Sequence, residues 1–248
     1  MINRQILQIE YFGFIRHNST MIKRHLESTL RGAASNYPVV TLTGPRQSGK
    51  TTLIRATFPK HAYMSLENPD HRQFAIEDPR GFLDQFDGGV ILDEVQRTPE
   101  LFSYIQGIVD DADVPGQFIL TGSQNFLLLQ SISQTLAGRC AVLHLLPFSR
   151  SELLGRPVMD LDKVGVSRRR KMDDRDDDLF RALLTGGYPR IHDKQLPPQD
   201  WLANYYQTYL ERDARDVLNI GDLDALGRFI RLCAGRCGQL LNLSSLAN

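Results

Sequence analysis

Residues 44–51, Gly-Pro-Arg-Gln-Ser-Gly-Lys-Thr, fit the pattern G-x-x-x-x-G-K-[ST], and that pattern has meaning only between a strand and a helix. Both neighbours are present. Val39, Val40, Thr41, Leu42 and Thr43 form the short β-branched run of a buried parallel strand, and residues 50–57 read as a helix. The physical sense of such a loop is direct. Gly44 and Gly49 permit a tight backbone path with successive N–H groups turned inward, and the helix beginning at Lys50 offers its positive dipole end to a phosphate. Pro45, Arg46, Gln47 and Ser48 complete the loop, Lys50 brings a point charge to the β- and γ-phosphates, Thr51 brings a hydroxyl able to ligate Mg2+, and Thr52 follows on the first helical turn.

A second run, Val90, Ile91 and Leu92, ends in the adjacent acids Asp93 and Glu94. Open parallel sheets bind their ligands at the carboxyl ends of their strands. Asp93 is thereby placed to hold Mg2+ through water, and Glu94 to polarise an attacking water. A third run, residues 117–121, exits at Gly122 and Ser123, which puts small polar side chains beside the same phosphates. Ser123 is the candidate for a γ-phosphate or water-positioning contact, with Asn125 next; capping of the following helix is the competing role. Arg139 can serve as an arginine finger on a neighbouring subunit's nucleotide, or simply be a salt-bridged surface residue. Arg190, after the turn Gly186-Gly187-Tyr188-Pro189, can contact phosphate from the helical region or simply be a surface residue.

Two more strand-like runs, residues 62–66 and 141–146, alternate with helical stretches at 50–57, 79–86 and 99–111. Strands alternating with helices predict an α/β fold, a parallel sheet covered on both faces. An amphipathic helix over 21–30, its pattern broken over residues 32–38, precedes the first strand. After Pro147 the texture changes: residues 159–178 are dense in charge and read as a solvated linker, and helical periodicity resumes from Leu179 to Leu241.

Composition narrows the function classes. Lys plus Arg number 29 and Asp plus Glu number 29, so no global basic field draws in nucleic acid and a polyanion must be held locally. Three cysteines, Cys140, Cys233 and Cys237, suggest neither a disulfide framework nor a zinc site. No apolar run reaches the roughly 18 residues of a membrane span, and no signal peptide is recognisable, so a cytoplasmic protein without a membrane partner is expected.

Together, TLTGPRQSGKTTLIR, VILDEVQRTPELF, FILTGSQNFLL, LAGR, the GGYPR block and YLERDARDV resemble the uncharacterised prokaryotic AAA+ P-loop ATPases that carry a C-terminal domain of unknown function. The resemblance implies a P-loop core with sheet order 5-1-4-3-2, a helical lid, and a C-terminal part with a winged-helix-like segment. It matches Lys50 to the Walker A lysine, Asp93 and Glu94 to the Walker B acids and Ser123 to the sensor position. It also implies a division into an extension over 1–20, an ATPase core over 21–155, a charged insertion over 156–178 and, over 179–248, a lid with the start of a C-terminal domain cut short. Expected are ATP and Mg2+ as ligands, hydrolysis coupled to a conformational change and an oligomer as one option. The alternative is a nucleotide-dependent switch that recruits DNA or a protein client with little turnover.

Overall fold

The computed structural model describes residues 21–122, 134–158, 176–209, 222–240 and 242. Five strands form one parallel sheet: β1 (Val39–Thr43), β2 (Ala62–Ser65), β3 (Val90–Asp93), β4 (Phe118–Thr121) and β5 (Cys140–His144). Their order is β2-β3-β4-β1-β5, the order that the resemblance implies read from the other edge. Every strand-like run of the sequence has become a strand.

Alternation sends each strand's apolar residues to both faces. Val39, Val90, Leu92, Phe118 and Leu120 face α3 (Pro69–Glu77), α4 (Pro79–Asp84) and α5 (Leu101–Ala112), where Phe82, Phe102 and Ile105 complete one core. Val40, Leu42, Ile91 and Ile119 face α1 (Leu26–Asn36) and α2 (Lys50–Thr57), where Leu30, Leu53 and Ile54 complete the other. The sheet is therefore fixed from both sides, and what it fixes is the position of its carboxyl edge.

Two helices differ from expectation. α1 begins at Leu26 and runs through Gly32, whose Cβ position is open space, to Asn36. Pro38 supplies the stop, because it excludes Tyr37 from helical backbone. Residues 21–24 are not helical. α3 was not anticipated; its apolar side chains Phe74 and Ile76 are largely exposed, which blurs the periodicity, yet its start is marked by the Asn68 side chain accepting from the Asp70 N–H and by Pro69.

Beyond β5 come α6 (Arg150–Leu153), α7 (Asp176–Thr185), α8 (Pro189–Lys194), α9 (Pro198–Tyr209) and α10 (Leu223–Ala234). Most of the charged stretch lies outside the described residues, but Asp176, Asp177 and Asp178 open α7 rather than ending a linker. Among the described residues, no helix is long and apolar enough to cross a membrane.

Candidate functional site

At the carboxyl edge β1 runs directly into the glycine-framed loop. A side chain at Gly44 would collide with the Leu145 carbonyl oxygen, so only glycine lets the loop leave the strand beside β5. Gly49, at φ 94°, turns the chain into α2 from the left-handed region. Lys50, only 6% exposed, folds over the loop and donates from Nζ to the carbonyl oxygens of Gly44 (3.0 Å) and Pro45 (2.9 Å).

Asp93, at the end of β3, is almost fully buried under this loop and collects hydroxyl donors from three elements. Thr51 of α2 donates to Oδ2 at 2.9 Å, Tyr63 of β2 to Oδ2 at 2.8 Å, and Thr121 of β4 to Oδ1 at 3.1 Å. Burial first, then the hydrogen bond to Asp93 and its charge, push the Tyr63 phenol up to about 12. Glu94 projects from the next position with φ 59°, lines the cleft and accepts a hydrogen bond from the Gln96 amide at Oε2.

The cleft has a volume of about 1030 Å³, at the upper end of ordinary ligand cavities. Arg46, Gln47, Lys50, Thr51, Thr52 and Glu94 line it from the sheet side, Pro189, Arg190 and His192 from α8, and Met21 and Ile22 from the non-helical start. Four described non-glycine residues have positive φ, and three of them, Gln47, Glu94 and Gln195, border this one cleft. Backbone strain of that kind persists where the surroundings over-determine it, and it gathers at ligand sites.

Gly44 to Thr52, Asp93 and Glu94 are thus brought together. Ser123 and Asn125 lie outside the described residues. Arg139 is not with them: it precedes β5 at the amino edge of the sheet, and its guanidinium pairs with the Asp110 carboxylate. Arg190 borders the cleft on α8.

Sequence reasoning missed Arg24. Its side chain, nearly buried, donates from Nη1 to the Ser48 carbonyl (2.9 Å), from Nη2 to the Leu146 carbonyl (2.6 Å) and from Nε to Glu152 (3.1 Å), and it lies 4.7 Å above the Phe148 ring. The P-loop, the exit of β5 and α6 are tied at one guanidinium. Glu152 also accepts from the His25 N–H and closes a capping box with Ser149. Burial acts to raise the Glu152 carboxyl, but the N–H groups of Ser149 and His25 and the Arg24 guanidinium outweigh it and hold the group below the usual range. Phe148 then donates its N–H to the Gly187 carbonyl at 2.7 Å, and Tyr205 of α9 donates its hydroxyl to the Arg46 carbonyl at 3.4 Å. Both contacts join the loop and its surroundings to the helical part.

The donor set suits a phosphate chain with a hard cation. Among the described residues no group of three or more His, Cys, Asp and Glu could cage a metal. Mg2+, however, is usually held by one or two protein oxygens together with phosphate oxygens and water, and Thr51 and Asp93 offer such oxygens at the mouth of the loop.

Residues 36–154 match the model of an AAA domain, and residues 176–248 match a domain of unknown function, DUF8612. An uncharacterised protein of Mycobacterium tuberculosis is 33% identical over 231 residues, 91% of this chain and 47% of that protein. The chain spans about half the length of the curated relatives it matches. Among solved structures, a Walker-type ATPase of Pyrococcus abyssi is 18% identical over 87% of this chain and 73% of that one, with a TM-score of 0.43. The AMPPCP-bound DnaA of Aquifex aeolicus is 16% identical over 90% and 79%, also with a TM-score of 0.43.

The strand order, the loop and the first match define an ATPase-like AAA domain of the P-loop fold. More narrowly, the chain joins that AAA domain, over residues 36–154, to a second region, residues 176–248, similar to a domain of unknown function.

Proposed function

We propose that the chain binds ATP with Mg2+ in this cleft and hydrolyses it, and that turnover changes how the helical part sits on the loop. The observation that carries this is the 2.9 Å bond from Thr51 to Asp93, which joins the end of the phosphate loop to the acidic end of a neighbouring strand. Loop amides and Lys50 hold the β- and γ-phosphates, and Arg190 reaches them from α8. Thr51 and Asp93 would hold Mg2+, which supplies charge neutralisation at the phosphate oxygens. Glu94 takes a proton from water as the water oxygen bonds to the γ-phosphorus; the β,γ-bridging P–O bond breaks, and ADP keeps that oxygen. Ser123 is assigned to position the γ-phosphate or the water. Arg139 would act only on a neighbouring copy's nucleotide, and only by giving up Asp110.

Labelled ATP tests this. Lys50→Ala should abolish binding, and Glu94→Gln should keep binding while removing phosphate release. Equal binding by Lys50→Ala would overturn the assignment. A second function, a nucleotide-held switch with little turnover, is favoured by one observation: α7 presents Leu179, Phe180, Leu183 and Leu184 to solvent, a stripe fit for a protein client. Tight binding without phosphate release, with or without DNA, would support the switch.

A further inference from the structure

Asp93 is held by more than the motif requires. A carboxylate offers about four acceptor positions, and three are filled by hydroxyls: Thr51 and Tyr63 on Oδ2, and Thr121 on Oδ1. Oδ2 is saturated by two donors from opposite sides, α2 and β2. The remaining acceptor capacity is on Oδ1.

The Tyr63 contact is built, not incidental. β2 is the edge strand of the sheet, and its register sets Tyr63 opposite Ile91, two residues before Asp93. The phenol therefore reaches diagonally along the sheet to the carboxylate. Its ring lies beneath the guanidinium of Arg55 at 4.6 Å. Arg55 stands one helical turn after Thr51, so the helix that brings one donor to Oδ2 also clamps the other.

We propose that Tyr63 is a positioning residue for the divalent-cation site, its hydroxyl pinning Asp93 Oδ2 beside Thr51 so that Oδ1 is left to accept from the water shell of a bound cation. This rests on the reading of the cleft as a Mg-nucleotide site. The bland role for the phenol is to satisfy a buried carboxylate. The two differ in what happens when the hydroxyl is removed: loss of a filler lowers stability, whereas loss of a positioning donor weakens the cation selectively. Partners of metal-holding groups cost about 10–100-fold in metal affinity when removed.

The test uses the full chain and Tyr63→Phe, which keeps the ring under Arg55. ATP affinity is measured by calorimetry in EDTA and across a Mg2+ series, and Mn2+ binding to the nucleotide complex is read from the free-ion EPR signal. The expected result is an unchanged ATP affinity in EDTA, within about twofold, with the half-saturating Mg2+ and Mn2+ concentrations raised about tenfold or more. Unchanged half-saturation would overturn the proposal, as would a parallel fall in affinity with and without cation. If the parent chain binds no ATP in either buffer, the nucleotide site itself fails, and the proposal about Tyr63 falls with it.

Discussion

The sheet and the helices that follow it solve different problems. In the α/β part, apolar side chains of the central strands β1, β3 and β4 are taken fully out of water on two faces, with partners from α1, α2, α4 and α5. From α7 onward, Ile191 is the one large apolar side chain that is buried among the described residues, while Leu179, Phe180, Leu183 and Leu184 are 44–71% exposed. The central strands β3, β4 and β1 are packed from both sides, while the edge strands β2 and β5 are partly covered. The second region meets the first through Phe148 with Gly187 and His192, through Tyr205 with Arg46, and through the face that α8 turns to the cleft. Under the proposed function, the ligand contacts made from α8 are the ones whose change would shift the helical part against the sheet.

The comparison breaks most sharply in the core. Phe102, 1% exposed on α5, packs among Phe82, Leu101 and Ile105. Phe102→Ala should cost about 3–5 kcal/mol in urea unfolding, a large part of a typical domain's stability. A loss below about 1 kcal/mol would mean that the sheet is not the rigid partner.

Much of this site was legible because its pieces are local. Strand, loop and helix around residues 39–57 are contiguous, and Asp93 and Glu94 end an apolar run, so period and punctuation reveal them. Tyr63 and Arg24 were not legible for the opposite reason. Tyr63 meets Asp93 across 30 positions, and Arg24 meets Leu146 and Glu152 across 122 and 128. Nothing in the periodicity around position 24 marks a buried guanidinium; an arginine between apolar residues reads as the polar face of a helix. The end of α1 was only coarsely legible: the sequence marks a break over residues 32–38, and within it the helix runs through Gly32 to Asn36 and stops where Pro38 restricts Tyr37. The exposed stripe of α7 was also missed, because exposure is a property of neighbours that periodicity does not contain.

An intermediate effect is expected at the seam. Glu152→Gln removes the charge that holds Arg24 and should cost about 1.5–3 kcal/mol at neutral pH, the range for hydrogen bonds to charged groups. The pH dependence has a definite sign. The folded carboxyl titrates below its unfolded value of about 4.3, so its contribution is complete above that value and is lost as pH falls through the folded one. Parent and variant should therefore converge in acid and separate above about pH 5. A gap that persisted undiminished at pH 3 would assign the loss to packing and leave Arg24 without its electrostatic role.

The smallest effect belongs to the exposed helix. Leu183 is 71% exposed on α7, so Leu183→Ser removes little buried area, and the change in unfolding free energy should stay within about 0.5 kcal/mol. Because the stripe of Leu179, Phe180, Leu183 and Leu184 is apolar and open, the same substitution should lower self-association at high protein concentration, read by light scattering. The two measurements together discriminate. Unchanged stability with reduced association keeps α7 as a surface that is free to meet a partner. A stability loss above about 2 kcal/mol would instead show that Leu183 is packed in the folded protein, and the contrast between a rigid sheet and a lightly held helical part would then end at α8.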